Sequence, residues 1–494
     1  MMNKDGNARE YSERLTALLC DKTVNHEVSG DFTIPDYLPE LRKLLSVSER
    51  VLPPAKYVSS SGVECNGSID YKILYVGADG GLYSADLSTE YELKTPIENG
   101  GSELTAGTAV TVSTVSEGMN TRITAPRRVN IKNRLCSRIK AYGQADTGGE
   151  PYGDSEDGRL QKLYAETEFS SIYPLSSDPI ELEEEIGGLF EDSRVISADA
   201  VIFANDIRRS SEGLDVSGDV VLKLLACRDT GKAEAITKKL PFRGTLECDE
   251  PMSDALYSLW GSVTDINVDV GEGKALCKLS MILSATCVRN AVGRYVADVY
   301  STERECECEK DTLPLPICLS CSVGNFSQSE RLTLSETGLP EGATVIDTIG
   351  DVIFDGCESL GGRYAFSGKS KYTVLWEKDG EYGAIDVELP LRYEVEGTAA
   401  ESFSFDACGD VISCRARADG DTLSLDAEIA VATDVFGQNR ATVVNGVRFG
   451  DPHKKRKSRM VVYYPAAGES LWDVAKKYHV PSDSLSEEKN YYLF

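Results

Sequence analysis

The sequence contains only three histidines among its 494 residues: His26, His453 and His479. Ser-His-Asp and Cys-His catalysis both need a histidine base beside a nucleophile, and no such arrangement is recognisable here. A GxxxxGK[ST] phosphate-binding loop is also absent from the sequence, so we do not expect this chain to hydrolyse ATP. We therefore predict a protein that is not an enzyme and uses no cofactor.

Long apolar segments and positive charge are also scarce. No run approaches the 18 apolar residues of a membrane-spanning helix, and residues 1–20 lack the apolar core and the small-residue cleavage site of a signal peptide. We therefore expect a cytoplasmic protein without a transmembrane span. Lys and Arg number 52 against 80 Asp and Glu, and the net charge of −28 disfavours binding to nucleic acid.

Fourteen cysteines are too few for a disulfide scaffold, so we expect most of them to be reduced and buried. Four of them, Cys306, Cys308, Cys318 and Cys321, leave two interpretations open. Four thiolates at this spacing are able to hold a zinc ion. Alternatively, a strand would place Cys306 and Cys308 on one face as buried structural thiols. We take buried thiols as the default and predict no metal site.

A repeat is the main positive feature of the sequence. Gly67, Gly218 and Gly368 recur at intervals of about 150 residues. Each glycine is followed seven residues later by a leucine, namely Leu74, Leu225 and Leu375. A turn sequence comes shortly afterwards in each case: Asp79-Gly80, Asp229-Thr230-Gly231 and Asp379-Gly380. This pattern predicts one structural unit present three times, an organisation more typical of proteins that present surfaces than of proteins built around one catalytic pocket.

The repeated segments have the pattern of β-strands. Ile69, Tyr71, Ile73 and Tyr75 alternate with other residues at the period of two that a strand requires. Two further segments, Leu240-Pro241-Phe242 and Leu389-Pro390-Leu391, are predicted edge strands because proline cannot donate to a central sheet ladder. One short helix is expected after Asp36, with Leu41, Leu44 and Leu45 on its apolar face.

The predicted fold class is therefore mainly β, with three sandwich-like or barrel-like units, short helices and a small α+β module at the carboxy terminus. The predicted divisions are an amino-terminal segment 1–21, three repeats at 22–147, 161–305 and 312–449, a basic linker 450–459 and the terminal module 460–494. Residues 146–160 and 303–316 are predicted to join the repeats.

The terminal module has the clearest local pattern. Val461 to Tyr464 form a predicted strand, and Gly468 permits a tight turn. Ser470 and Asp473 make a capping box at the start of a helix whose apolar stripe is Leu471, Val474, Ala475 and Tyr478. Residues 482–489 are predicted to form a second short helix. The final residues YYLF have the character of a short closing strand.

The segment GESLWDVAKKYHV resembles the LysM family, whose modules generally bind polymers of N-acetylglucosamine. The segments IPDYLPELRKLLSV and CNGSIDYKILYVGADGGLYS, and the repetition of such units before a LysM, resemble the SPOCS family of spore coat assembly proteins. The Pro-Gly segment and the full closing strand that usually follow the second helix of LysM modules are missing here. The resemblance to the SPOCS family covers most of the chain.

The resemblance implies a mother-cell scaffold at the forespore surface, which docks coat proteins onto the spore morphogenetic ATPase through its LysM-like tail. We predict that partner or glycan binding involves Gly468, Glu469, Ser470, Leu471, Trp472 and Tyr478, with Leu471 and Tyr478 acting through the fold of the module. The alternative is a cell-wall or cortex protein that binds peptidoglycan. A third possibility, an enzyme within one β unit, would require a deep pocket in that unit.

For two further features, Trp472 and the basic run 454–457, two interpretations remain open. Trp472 lies off the apolar stripe of the terminal helix, either as an anchor for a partner or as a side chain packed on the rest of this chain. The basic residues Lys454, Lys455, Arg456 and Lys457 either steer the protein to an acidic or phospholipid surface or form a solvated linker, which we favour.

Overall fold

The computed structural model describes residues 14–59, 61–96, 108–146, 160–187, 193–228, 232–271, 273–454, 462–464, 466–488 and 491–493. Within them, strands dominate. The strands fall into three consecutive blocks, which we call the first, second and third blocks.

The first block contains seven strands: β1 Arg14–Thr33, β2 Leu41–Val51, β3 Ala55–Ser59, β4 Gly62–Gly77, β5 Leu82–Pro96, β6 Ala109–Ala125 and β7 Arg128–Asp146. The second block contains β8 Leu160–Ser176, β9 Ile180–Ile186, β10 Ser193–Arg209, β11 Gly213–Arg228, β12 Ala233–Glu247, β13 Leu256–Gly271 and β14 Lys274–Ser301. The third block contains β15 Arg304–Thr333, helix α1 Leu334–Thr337, β16 Thr344–Ser359, β17 Arg363–Lys378, β18 Glu381–Glu396, β19 Ser404–Asp419 and β20 Thr422–Pro452.

The blocks share a common strand order, to which the first block adds β3 beside β4 and the second adds β9 beside β14. The outer strands form a sheet of order β1-β7-β6, β8-β14-β13 or β15-β20-β19. The inner strands form a meander of order β2-β4-β5, β10-β11-β12 or β16-β17-β18. All of these pairs are antiparallel. The prediction of a mainly β protein is confirmed; membership of the SPOCS family stays a prediction.

The predicted helix after Asp36 is wrong, because residues 41–51 form strand β2. Two β-bulges interrupt the pairing of β2 with β4, between Leu41 and Lys43 and between Leu44 and Ser46. Each bulge adds one residue to the strand and breaks its alternation of faces. The apolar residues are therefore spaced as they would be in a helix, although the backbone is extended.

Several boundaries also differ from the sequence-based division. β15 begins at Arg304, so the expected connection 303–316 is mostly strand. β1 begins at Arg14, and β20 continues to Pro452, through the first residues of the expected basic linker. Residues 229–231 and 147–159 lie outside the described residues, and with them the second repeated turn and most of the first connection.

The repeated turns and prolines lie where a meander needs them. Asp379 and Gly380 both have positive φ, at 51° and 81°, as a two-residue hairpin turn of this kind requires. Pro241 lies in β12 and Pro390 in β18, and within the described residues each of these strands is the edge of its meander. The edge prediction from the two prolines is therefore confirmed.

The repeated glycines are required by close approach rather than by the turn. A Cβ at Gly218 would lie against the carbonyl oxygen of Phe203, and a Cβ at Gly368 against that of Ile353. In both blocks the neighbouring strand has a bulge at this point, which brings its backbone closer. At Gly67 the obstacle is instead the ring of Tyr91.

The three meanders meet in one shared apolar cluster, which we call the central cluster. The leucines that follow the repeated glycines, Leu74, Leu225 and Leu375, all belong to it and are only 2–4% exposed. The bulged residue of each first meander strand packs against the same cluster: Leu45, Ile196 and Ile346. The bulge therefore re-aims one apolar side chain per block toward the other two blocks.

Charged residues fasten neighbouring meanders around this cluster. Lys72 of the first block lies 3.0 Å from a carboxylate oxygen of Asp199 in the second block. Lys223 of the second block lies 2.5 Å from Asp347 in the third. Lys43 of the first block donates to the carbonyl oxygen of Tyr382 in the third block, at 3.3 Å. Each block therefore contacts both others, and the arrangement is a closed ring.

The outer sheets also meet. Lys140 of the first block, whose side chain is 4% exposed, lies 2.7 Å from Asp406 of the third block. Ser258 of the second block donates to Asp434 of the third at 2.8 Å. Asp406 and Asp434 face each other on adjacent strands, so all three blocks share one polar junction.

Candidate functional site

The carboxy-terminal module is a small three-stranded sheet with one helix beside it. Strands β21 Val462–Tyr463, β22 Ser486–Glu488 and β23 Tyr491–Leu493 pair in the order β21-β23-β22. Helix α2 covers Leu471–Tyr478. The expected second helix is wrong: residues Ser482–Ser484 form a single 3₁₀ turn, and a strand follows it. The short closing strand predicted from YYLF is present as β23 and pairs with β21.

Local sequence fixes both ends of α2. Ser470 is the N-cap; its hydroxyl accepts from the Asp473 backbone N–H, and the Asp473 carboxylate accepts from the Ser470 backbone N–H. These bonds satisfy backbone donors that the first turn of a helix leaves free. His479 ends the helix in the left-handed conformation, at φ 53°. Gly468, at φ +85°, makes the turn before the cap.

Glu469 ties this turn to β21. Its carboxylate accepts from the backbone N–H of Ala466 at 2.9 Å and from the hydroxyl of Tyr463. These hydrogen bonds lower the pKa of Glu469. The ring of Tyr463 packs edge-on against Tyr478, with ring centroids 5.3 Å apart. Glu469 and Tyr478 therefore stabilise the module itself.

One face of α2 docks on the body of the protein. The indole N–H of Trp472 donates to Asp298 in β14, at 2.8 Å, and the ammonium of Lys476 donates to the same oxygen at 2.6 Å. Lys310 in β15 lies 3.0 Å from the other carboxylate oxygen. Trp472 also packs edge-on against Tyr300, with centroids 4.8 Å apart. Of the two interpretations of Trp472, the structure shows packing on this chain.

A second set of contacts holds the end of α2. The hydroxyl of Tyr300 donates to the carbonyl oxygen of Val480 at 2.7 Å. The rings of His453 and His479 stack with centroids 3.6 Å apart. His453 follows directly on β20, so the stack joins the end of the third block to the terminal module. Lys454 is exposed, and residues 455–457 of the basic run lie outside the described residues.

Asp298 is the electrostatic centre of this contact. Burial alone would raise the pKa of its carboxyl, but the hydrogen bonds from Lys476 and Trp472 and the ammonium of Lys310 outweigh burial and lower the pKa. The group is therefore held as a carboxylate. Two cations and an indole N–H compensate one partly buried negative charge, which is the pairing that a buried charge requires.

The residues predicted for partner binding fall into two sets. Gly468, Ser470 and Leu471 are exposed, and Leu471 retains 37% of its accessible surface. Glu469, Trp472 and Tyr478 are half-buried and engaged in the contacts described above. The exposed residues form one edge of the module, at the turn and first residue of α2, and we call this edge the cap surface.

Sequence reasoning missed Asp298 and Tyr300. They lie 174 and 172 positions before the helix residues they meet, and no local spacing in the sequence relates them to α2. The sequence contained only one weak indication of this contact. Trp472 lies off the apolar stripe of its own helix, which indicates that its ring packs against residues outside the terminal module.

The four cysteines considered for zinc lie on one continuous strand. Cys308 and Cys318 are ten residues apart in β15, which corresponds to about 33 Å along an extended strand. The two pairs therefore cannot bind a common ion. Cys306 and Cys308 pack together near Val299 and Val444, and Cys321 donates to Asp434 at 2.9 Å. Burial raises the pKa of Cys306 to about 11. The described residues contain no cluster suited to a metal ion.

The described residues of the body include two concave surfaces that bear on function. One, of about 430 Å³, lies between β10 and β15 at the joint of the second and third blocks. The other, of about 490 Å³, lies on the outer sheet of the first block, where Arg122, Lys132 and Arg134 face Glu27. Both are open to solvent.

Comparison with known proteins does not identify the chain. No family model matches the sequence, and no curated protein or solved structure matches it either. In the part of the chain that the structure describes, no helix is long and apolar enough to cross a membrane. The likeness to the SPOCS and LysM families therefore stays a prediction from the quoted motifs.

Proposed function

We propose that this protein is a non-enzymatic scaffold of the endospore coat, located in the mother cell at the forespore surface. Its terminal module docks on the spore morphogenetic ATPase, and its three-block body holds coat proteins. The observation that carries the proposal is the arrangement of the terminal module. A capped helix is fastened to a body of three joined blocks, while the cap surface of Gly468, Ser470 and Leu471 stays exposed.

The body supports a scaffold role because several of its charged side chains form ion pairs that join the blocks. The carboxylates Asp199, Asp347 and Asp406 are each paired with a lysine of another block. Such pairs hold surfaces in fixed relation to one another. A partner bound to one block is therefore held at a defined distance from a partner bound to the terminal module.

The test is capture of the purified morphogenetic ATPase by the immobilised full chain. We expect capture to fall by at least about tenfold when residues 460–494 are removed, and also in Leu471→Glu, which places a charge on the cap surface. The matched control is Leu360→Glu, since Leu360 is similarly exposed, at 48%, but lies on the third block. Capture that is equally strong without residues 460–494 would contradict the proposal.

The alternative, binding to N-acetylglucosamine polymers, has one observation in its favour. The loop after the first strand, which LysM modules use for glycan, corresponds here to the exposed cap surface. Sedimentation with insoluble peptidoglycan separates the two functions. Retention of the full chain that is lost in Leu471→Glu, together with no capture of the ATPase, would favour the glycan function.

A further inference from the structure

The concave surface between the second and third blocks differs in charge from the chain as a whole, which is strongly acidic. It is a groove of about 430 Å³, within the size range of ligand sites. Among the described residues that line it, none is Asp or Glu, and Arg209 is the one cation. Phe203, Ile207 and Leu256 contribute apolar surface, and Leu256 is 37% exposed. We call this surface the β10–β15 groove.

The two long sides of the groove are strand edges. Within the described residues, β15 pairs only with β20, and β10 pairs only with β11. Residues 321–325 of β15 all line the groove, although they are consecutive. Side chains of consecutive strand residues point to opposite faces, so five in a row line a surface only when it runs along the strand edge. The groove therefore presents the unpaired backbone side of β15.

The charge of the groove selects the kind of partner. Arg209 lies at the β13 end, with its guanidinium carbon 5.4 Å from the ring centroid of Tyr257. A planar cation held over an aromatic ring is well placed to bind a carboxylate. With a cation, apolar side chains and a free strand edge, the groove fits an extended peptide that carries apolar residues and one acidic residue.

We propose that the β10–β15 groove binds an extended segment of a client protein, which adds as a strand to the edge of β15. Apolar side chains of the segment lie against Phe203, Ile207 and Leu256, and an Asp or Glu pairs with Arg209. This inference rests on the proposed scaffold function and names the class of segment that the body holds. The terminal module plays no part in it.

The probe is a phage-displayed library of random nine-residue peptides, panned on the immobilised full chain. We expect enrichment of peptides that alternate apolar residues and contain an acidic residue. Binding of an enriched peptide, labelled with a fluorophore, is then measured by fluorescence polarisation. Arg209→Glu should weaken it at least about tenfold, since the change opposes like charges. The matched control is Arg208→Glu, because Arg208 is adjacent, 78% exposed and outside the groove.

Strand addition has its own readout. Backbone amides of residues 321–325 should exchange with deuterium more slowly when the enriched peptide is bound, because added strands use main-chain hydrogen bonds. No enrichment, binding indifferent to Arg209→Glu, or unchanged exchange in residues 321–325 would each overturn the proposal. So would a dimer, seen by light scattering, that Arg209→Glu dissociates, because the occupant would then be a second copy. ATPase capture reports on the terminal module alone, so the two proposals fail separately.

Discussion

Trp472 and Asp298 are joined by a hydrogen bond of 2.8 Å, although 174 positions separate them in the sequence. The bond brings the terminal helix onto the last strand of the second block. Because Lys476 donates to the same oxygen, one carboxylate holds two successive turns of α2. Asp298 is therefore the main polar anchor of the terminal module, beside the contacts of Tyr300 and the stacked rings of His453 and His479.

Replacement of that carboxylate tests the docking. In Asp298→Ala, Lys476 and Lys310 lose their shared anion and Trp472 loses its acceptor, so we expect α2 to leave the body. The chain has three tryptophans, and the released indole should become more accessible to acrylamide. Hydrogen bonds to charged groups contribute about 1.5–3 kcal/mol, enough to shift the docking equilibrium by at least about tenfold.

The control for this experiment is Asp269→Ala, an exposed carboxylate in the same block. The extra quenching should disappear when Asp298→Ala is combined with Trp472→Phe. Because the pKa of Asp298 is lowered, its contribution to docking is complete above the usual range of an aspartate and is lost only as the pH falls through the lowered pKa. Quenching that is identical in Asp298→Ala and the parent chain would show that the apolar contacts alone hold the helix.

A half-buried carboxyl, that of Asp410, predicts a dependence of stability on pH. Burial raises the pKa of Asp410 to about 6; the Asp351 carboxylate adds to this effect, and the Arg50 guanidinium opposes it. Since the folded state holds the proton more tightly than the unfolded chain, stability falls as the pH rises from about 4 to about 6. Asp410→Asn removes this cost and should stabilise the fold at pH 8 by roughly 1–3 kcal/mol.

Urea unfolding at pH 8 and pH 5 measures the effect, and the gain at pH 5 should be about half of that at pH 8. Asp419→Asn, at the exposed hairpin of β19 and β20, is the matched control. A gain for Asp410→Asn that is the same at both pH values would mean that ionisation of this carboxyl is not its source.

The joint between the first and third blocks depends on a buried ion pair. In Asp406→Ala, the ammonium of Lys140, with 4% exposure, loses its partner, and we expect a loss of about 2–4 kcal/mol in the free energy of unfolding. Lys140→Met combined with Asp406→Leu should recover most of the loss, because the buried ammonium is then gone and Arg138, which also lies 3.4 Å from Asp406, keeps Asp21 as a partner at 3.7 Å. A double variant as unstable as Asp406→Ala would show that the pair acts through something other than charge.

The central cluster predicts that the blocks unfold together. Leu225→Ala should cost about 2–5 kcal/mol, as usual for a buried leucine. Trp260 reports on the second block and Trp376 on the third, so both signals should shift to lower denaturant concentration together. Leu360→Ala, at an exposed site, should shift neither. A shift confined to Trp260 would mean that the blocks are independent.

The sequence allowed the inner meander to be predicted, because its determinants are local. Alternation at Ile69, Tyr71 and Ile73 marks a strand, and those residues are fully buried. The Asp379-Gly380 turn and the edge position of the proline-containing strands are also determined by residues close together in the sequence. The capping box at Ser470 was predictable for the same reason.

What the sequence did not allow was prediction of long-range contacts and irregular strands. The bulges after Leu41 and Leu44 space the apolar residues as a helix would. The second bulge directs Leu45 to the central cluster, which exists only when the other two blocks are folded against the first. The resemblance pointed to the terminal module, but it gave no indication of the docking residue Asp298. Its partners are three side chains from other parts of the chain, and their meeting depends on the whole fold.

The closed ring limits how this architecture can vary. In the part of the chain that the structure describes, Leu74, Leu225 and Leu375 of the three meanders cover one another in the central cluster, so excision of one copy would expose the leucines of the other two to water. The central cluster therefore constrains the number of blocks, whereas it does not constrain the residues on their outward surfaces. One polypeptide can in this way present three different outward surfaces from joined blocks, which an assembly of three identical subunits does not offer.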